Sequence, residues 1–566
     1  KHLAISTHIT KGVSGYPFIN YLKRLDMKLI EECSIKYLST ITKIFINGAW
    51  VGSHENPLLL RETMRFHKRN NLIDIYISIL FDIKRNEIRI RTDSGRPIRP
   101  IFYSIDSDVL SYEREDVLKK IVKNDINWDE YIYGFSEHKR NNIIDFDAIK
   151  KLMNMGDKAI SYLIKNAAVV EYIDTQEAEG NVLANSQIER RDYIKNRITH
   201  EDIHPSLIFG IMANQIIFPE HNQFPRNSFS CGQGKQAVSL YHSNFKYRLD
   251  KTALMLNYGQ IPLTKTRYYK YSNNNEHPYG ENTIVAMMCY SGYNVEDAVI
   301  LNGGSLKRGL FSTTKFSVFE AHETLEGVGN SDNTTKFINI EDNDVLGIKI
   351  GYDYSKLDEF GIIKEGEVID DKTILIGKVS YNPLGTSEFI DESISTKKGN
   401  IGVVDKVYIS PGPEGTRIVK VKVRSHRIPA IGDKFCSRAG QKGTVGIVLP
   451  ESDFPATRDG LRPDIIVNPH AMPSRMTIGH LVETITSKTG CIYGGFGDCT
   501  AFTQKGPQHK LFGQFLRNSG YHSSGCEILY NGMTGEQLEA DIYIGPTYYE
   551  RLKHMPKDKI NYRARG

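Results

Sequence analysis

The chain of 566 residues contains no Cys-x-x-Cys pair. Its cysteines stand at 33, 231, 289, 436, 491, 499 and 526, odd in number and widely spaced. That argues against a disulfide framework and a zinc ribbon, and for a reducing compartment. No stretch approaches the roughly 18 uncharged apolar residues of a membrane span. Neither charge sign dominates: 72 Lys and Arg against 67 Asp and Glu leave +5. A polyanionic partner is neither demanded nor excluded, so local clusters must decide. Tryptophan is scarce, with two residues, yet aromatics make 10% and hydrophobic residues 40%. This is enough to bury a core and excludes global disorder. Glycine and proline, 47 and 21 residues, are too few for a collagen-like or linker-like chain. Lys1–Ile5 shows no signal-peptide pattern and reads as mid-domain sequence. The other end stops on Arg563 and Arg565 without a tail, so a piece of a longer chain is expected.

At roughly 150 residues per domain, three to four domains are expected. Residues 1–200 mix helix and strand signals. Asn47-Gly48 between apolar runs predicts a hairpin, Asn56-Pro57 a helix entry running to Asn70, and Arg85-Asn86 a turn between strands. Gly156–Ile164 reads as a helix and Val169–Ile173 as a strand. Residues 204–311 are rich in apolar strands. Residues 320–400 turn acidic and Gly/Asn-rich, like an inserted lobe. Strand alternation returns by Arg417–Arg424, with Val419, Val421 and Val423 on one face and Ile418, Lys420 and Lys422 on the other.

Several motifs imitate chemistry. His200-Glu201-Asp202-Ile203-His204 matches the zincin pattern, but Pro205 disfavours the continuous helix it needs. Cys231–Gln236 resembles a phosphate loop without its first Gly and its Ser/Thr. Asp342-x-Asp344-x-x-Gly347 lacks the closing Glu of a calcium loop, and Asp145-Phe146-Asp147 reads as a helix start.

Four clusters remain. Arg424 to Gly446 holds Arg424, Arg427, Lys434, Arg438 and Lys442 against Asp433 alone, interleaved with Gly432, Gly440, Gly443 and Gly446. The glycines suit close backbone approach to a polyanion; a solvated basic face is the bland alternative. His221–Ser228, leading to Lys235 and Gln236, and Asn468–Thr477 each place an Arg in a Pro-stiffened turn. Arg is suited to forked phosphate contact, or to stapling a loop. Cys289–Ala298 carries adjacent Glu296 and Asp297 after a Gly turn. They suit a hydrated metal, or the start of a short helix Ala298–Leu301.

Together these segments resemble the second-largest (β-type) subunit of multisubunit DNA-directed RNA polymerases, in the eukaryotic, archaeal and large-DNA-virus branch. The similar stretches run in family order. They are Phe45–Trp50, Arg91–Arg96, Val170–Asp174, Ile203–Ser206, Pro219–Arg226, Gly292–Asp297, Gly432–Gly443, Pro463–Thr477, Tyr530–Gly532 and Gly545–Tyr549. The resemblance implies a β-rich, mixed α/β multidomain fold. Residues 1–200 correspond to external domains, and 201–315 and 425–566 to a hybrid-binding region with a double-psi β-barrel. Residues 316–424 correspond to an inserted wall (flap). The family's protrusion, lobe, fork, anchor and zinc-bearing clamp are expected outside this stretch, leaving no zinc in it.

The implied reaction is templated nucleotidyl transfer, with catalytic Mg2+ held by aspartates of the largest subunit. By resemblance, Lys434 and Lys442 reach the RNA 3′ end and nearby phosphates, and Arg226 and Arg475 the triphosphate. Glu296 and Asp297 lie near a second, exchangeable Mg2+. Gln236, Lys235, Arg438 and His554 face the hybrid. Implied partners are the largest subunit, smaller assembly subunits, template DNA, nascent RNA and nucleoside triphosphates, with no membrane. Implied locations are the nucleus, or host cytoplasm and virion for a viral chain. A nucleic-acid-binding remnant and a single-chain RNA-dependent polymerase are the competing readings. The latter requires an Asp-x-Asp-x-Asp loop, which the sequence lacks.

Overall fold

The computed structural model describes residues 8–561 and 563, apart from 11, 34–39, 107–108, 136–143, 154–156, 186–197, 273–274, 326–333, 342, 382–388, 397–398, 400 and 505. The chain divides into two compact units, Lys1–Ile211 and Met212–Gly566.

In the first unit, Asn47 and Gly48 take φ of 51° and 87° and turn strand Thr42–Ile46 into strand Ala49–His54. Positive φ at both turn positions matches the strand twist, which is why Asn-Gly stands there. Thr42–Ile46 also pairs in parallel with Glu87–Arg91. Helix Pro57–Arg69 starts at Asn56, whose Oδ1 accepts from the Leu59 N–H at 3.1 Å. Its Leu60 and Met64 pack on Ile44, Ile79, Ile88 and Ile90 of this sheet. A second sheet is built around Pro97–Asp106. Arg69 of the helix donates to Glu171 at 2.6 Å, and Glu171 also meets His200 Nε2 at 2.5 Å. His200–Glu201 is a strand and His204 caps the short turn Pro205–Ile208, so the zincin-like pattern is not helical. Asp145 Oδ1 accepts from the Ala148 N–H and starts helix Phe146–Met153. Of the calcium-loop pattern, Asp342 lies outside the described residues.

The second unit is organised by six strands that pair in a closed ring. Their order is Glu281–Met287, Ile465–Val467, Ala298–Asn302, Lys442–Leu449, Lys434–Ser437 and Gln537–Arg551, the last pairing back to the first. Two of the pairings are parallel: Glu281–Met287 with Ile465–Val467, and Ala298–Asn302 with Lys442–Leu449. Alternate residues feed separate cores. Val285, Val299, Leu301, Phe435, Ile465 and Val467 share one, while Ala286, Ile300, Ile466 and Ile544 share another. At Val285–Met287, Val299–Leu301 and Ile465–Val467 both faces are buried, so these segments read as unbroken apolar runs. Ala298–Leu301, for which a short helix is one of two alternatives on the sequence, is a strand, because β-branched Val299 and Ile300 sit between two strand partners.

Thr313–His322 and Arg417–Arg427 leave the ring as a long antiparallel pair, joined by Gly402–Pro411 and Thr252–Leu256. Val419, Val421 and Val423 are buried, as alternation predicts. Lys422, expected on the polar face, is also buried. Its ammonium lies 4.6 Å from the Phe316 ring centroid and donates to the Arg248 carbonyl at 3.3 Å. Burial lowers its pKa. A long aliphatic stem with a capped head lets such a lysine enter an apolar layer. Among the described residues, no helix is long and apolar enough to cross a membrane.

Candidate phosphate-facing cleft

Arg226, reached through Pro225, lies in the first turn of helix Phe224–Gly234 and not in the Pro-stiffened polar turn expected. Proline at a helix start costs no hydrogen bond, because that N–H has no partner in the helix. The same helix absorbs Cys231-Gly232-Gln233-Gly234, so the Gly-Lys pair there forms no phosphate loop. Arg475 follows Pro473 in the segment leading to helix Ile478–Tyr493. These two distant stretches are stitched together by Asn222. It bridges to Thr477, and its Oδ1 accepts from the Gly479 N–H at 2.8 Å.

The glycines explain the rest. Lys434–Ser437 and Lys442–Leu449 form a hairpin in which Cys436 faces Lys442. Gly440, at the turn, has φ +74° and lies against the Arg226 carbonyl, leaving no room for a Cβ. A Cβ on Gly443 would come within 2.8 Å of the Asp297 carbonyl. These two glycines thus admit the protein's own backbone, not a polyanion, which corrects the sequence reading of their purpose. They fasten the arms bearing Arg226 and Asp297 onto the hairpin bearing Lys442.

The product is one cleft of about 210 Å³ lined by Arg226, Phe229, Gln233, Asp297, Gly440, Lys442 and Arg475. The Arg226 guanidinium donates to the Gly440 carbonyl at 3.3 Å and lies 5.4 Å from the Phe229 ring centroid. Burial and the neighbouring charge of Arg475 lower its pKa, with Asp297 opposing. Arg475 is gripped by Asp297 through both carboxylate oxygens, with Nη1 to Oδ1 at 2.6 Å and Nη2 on Oδ2. Lys442 is exposed at the start of its strand. Two arginines and a lysine around a small concavity offer a fork geometry and a point charge to phosphate oxygens.

Lys434 does not line this cleft. It belongs to a second cluster, where Gln236 Oε1 lies 2.8 Å from His554 Nε2. Burial, then the charges of Lys559, Lys434 and Lys553, lower the His554 pKa. Lys235 is exposed at the end of the Arg226 helix. Arg438 requires correction: it does not face outward. Its side chain is 2% exposed, donates to Glu483 Oε1 at 2.5 Å and to the Thr264 carbonyl at 2.7 Å, and cannot reach a nucleic acid. Arg427 is likewise buried, against Asp558 at 2.9 Å.

Glu296 is exposed and lies outside the lining, while both Asp297 oxygens are committed to Arg475. Among the described residues no group of three or more His, Cys, Asp or Glu is placed to hold a metal ion. The acidic pair therefore does not fit a metal on this chain's side chains alone. Phe229 and Gln233 were missed in the sequence. They stand three and seven residues after Arg226, so a helical period starting at Pro225 is the signal that finds them.

The site is thus a cationic cleft at the hairpin of a closed β-ring. Residues 212–566 match the family model for RNA polymerase Rpb2, domain 6, and residues 44–104 match RNA polymerase Rpb2, domain 4. The chain belongs to the RNA polymerase Rpb2 family. It is 37% identical, over its full length, to DNA-directed RNA polymerase II subunit RPB2 of Encephalitozoon cuniculi, covering 47% of that protein. It is 36% identical over 94% of its length to subunit Rpo2 of Sulfolobus acidocaldarius, covering 44% of it. It is 33% identical over its full length to DNA-directed RNA polymerase subunit 2 of Acanthamoeba polyphaga mimivirus, covering 46% of it. The chain spans about half the length of the curated relatives it matches.

Proposed function

We propose that this chain forms the triphosphate- and RNA-end-binding half of a DNA-directed RNA polymerase active site. The observation that carries the reading is the meeting of Arg226, Lys442 and Arg475, from three distant stretches, in one cleft. Phosphoryl-transfer catalysis consists largely of positioning and charge neutralisation, which such a cleft supplies. Arg226 and Arg475 orient the triphosphate, and Lys442 neutralises charge at the reacting phosphate. Lys434, with Gln236 and His554, lines the path of the RNA 3′ end and the hybrid. The catalytic Mg2+ belongs to aspartates of the largest subunit, the principal partner. Smaller assembly subunits, template DNA, nascent RNA and nucleoside triphosphates complete the set. In this reading the closed ring is a double-psi β-barrel, residues 316–424 are the wall, and residues 1–200 are external domains. The location is the nucleus, or host cytoplasm and virion if the source is a large DNA virus.

Removing one preorganised cationic donor should slow nucleotide addition on the order of a hundredfold. Lys442→Ala is to be assayed in an enzyme reconstituted with the largest subunit, by single-nucleotide extension of a DNA–RNA hybrid. An unchanged rate would sink the assignment.

A further inference from the structure

We infer that Asp297 is a positioning residue for Arg475 and not a metal ligand of this chain. The inference rests on reading the cleft as a phosphate site.

The loop that delivers Asp297 is unusual. Between strands Glu281–Met287 and Ala298–Asn302, four residues take left-handed backbone: Ser291 at 55°, Gly292 at 80°, Glu296 at 53° and Asp297 at 68°. Consecutive non-glycine residues in that region are strained and persist only where the surroundings hold them. Here the holding is visible. Asn294 is fully buried and its Nδ2 donates to the Met288 carbonyl at 2.7 Å. From below, Gly443 presses on the Asp297 carbonyl with no room for a side chain. The Asp297 carboxylate is thus set on a rigid mount, and it points at one partner, the Arg475 guanidinium.

The cleft needs that mount. The charge of Arg475 lowers the Arg226 pKa, so the two guanidinium groups feel each other. Like charges within one concavity repel each other unless a counter-charge holds one of them in place. Asp297 supplies the counter-charge in fork geometry. That fork uses two of the five N–H donors of Arg475 and leaves three for a ligand. A divalent ion taking Asp297 would have to break the fork and release Arg475 beside Arg226.

The test uses the full chain and inorganic tripolyphosphate, which carries the phosphate chemistry without base or sugar. Titration calorimetry in chelator-treated, metal-free buffer reads the affinity. For Asp297→Ala we expect a fall on the order of tenfold, the worth of one charge-assisted contact, although the charge removed is negative. In an Arg475→Gln background the same substitution is expected to raise affinity, because only repulsion remains. A loss of packing alone does not reverse sign in this way. Asp297→Glu should restore part of the fall. If Asp297→Ala does not fold, Asp297→Asn carries the same expectation with a smaller fall. Unchanged or increased affinity for Asp297→Ala, or a fall seen only when Mg2+ or Mn2+ is supplied, overturns the inference. If the wild-type chain fails to bind tripolyphosphate, the phosphate reading fails first and takes the inference with it.

Discussion

Arg438 and Glu483 meet at 2.5 Å with both side chains sealed from solvent. The same carboxylate oxygen accepts from the Tyr548 N–H at 3.1 Å, and the guanidinium lies 4.9 Å from the Tyr548 ring centroid. The pair thereby ties the hairpin of Lys434–Ser437 and Lys442–Leu449 to helix Ile478–Tyr493 and to the long strand Gln537–Arg551. Breaking one half of a buried pair strands the other charge, at a cost of roughly 3–5 kcal/mol. Glu483→Gln is expected to lower the denaturation midpoint of the full chain markedly. A variant as stable as wild type would show that the pair is not buried in solution.

Lys434 and Arg438 are close in sequence, but Lys434 is half-buried while Arg438 is sealed from solvent. If Lys434 contacts a phosphate of a DNA–RNA hybrid, Lys434→Ala should weaken binding evenly across sequences and reduce the salt slope by about one. The measurement is hybrid affinity against log salt concentration, and an unaltered slope places Lys434 off the backbone track.

Gly440→Ala should disturb the cleft from its rim. Its φ of +74° disfavours any Cβ, and the new methyl meets the Arg226 carbonyl. A loss of about 1–3 kcal/mol is expected for such overpacking. Thermal unfolding checks the stability, and tripolyphosphate titration checks that Arg226 has moved. Wild-type affinity with lowered stability would separate the glycine's structural effect from the site.

Two carboxyls near the ring make stability fall as pH rises. Burial pushes both Glu281 and Glu550 up to about 7. Each binds its proton more tightly folded than unfolded, where its value is about 4.5. Their contribution is complete below about pH 4.5 and is lost as pH climbs to about 7, at roughly 3 kcal/mol for each group. Glu550→Gln should therefore raise the melting temperature relative to wild type at pH 8 and change it little at pH 5. An equal change at both values would show that Glu550 does not titrate on unfolding.

Local signals in the sequence carried most of the elements. Asn47-Gly48, Asn56-Pro57 and the alternation of Val419, Val421 and Val423 each state a conformation within a few residues, and each appears in the structure. The misreadings have two causes. Ala298–Asn302 is a short segment whose type depends on distant partners, Val467 and Val445, whereas the Arg226 helix carried a local signal, a proline in its first turn, that also fits a stiffened turn. Arg438 and Lys422 show the same limit in side chains, since nothing nearby in sequence announces Glu483 or the Phe316 ring.

What the chain's order of residues determined alone was its inventory: cations and glycines at set spacings, acidic neighbours after a Gly turn, and apolar strands. Which cations meet, and which are spent on holding the molecule together, was decided only in three dimensions. The physical reason is burial. A guanidinium in the cleft and one in the core have the same composition, and they differ only in whether a carboxylate from a remote strand or helix closes over them.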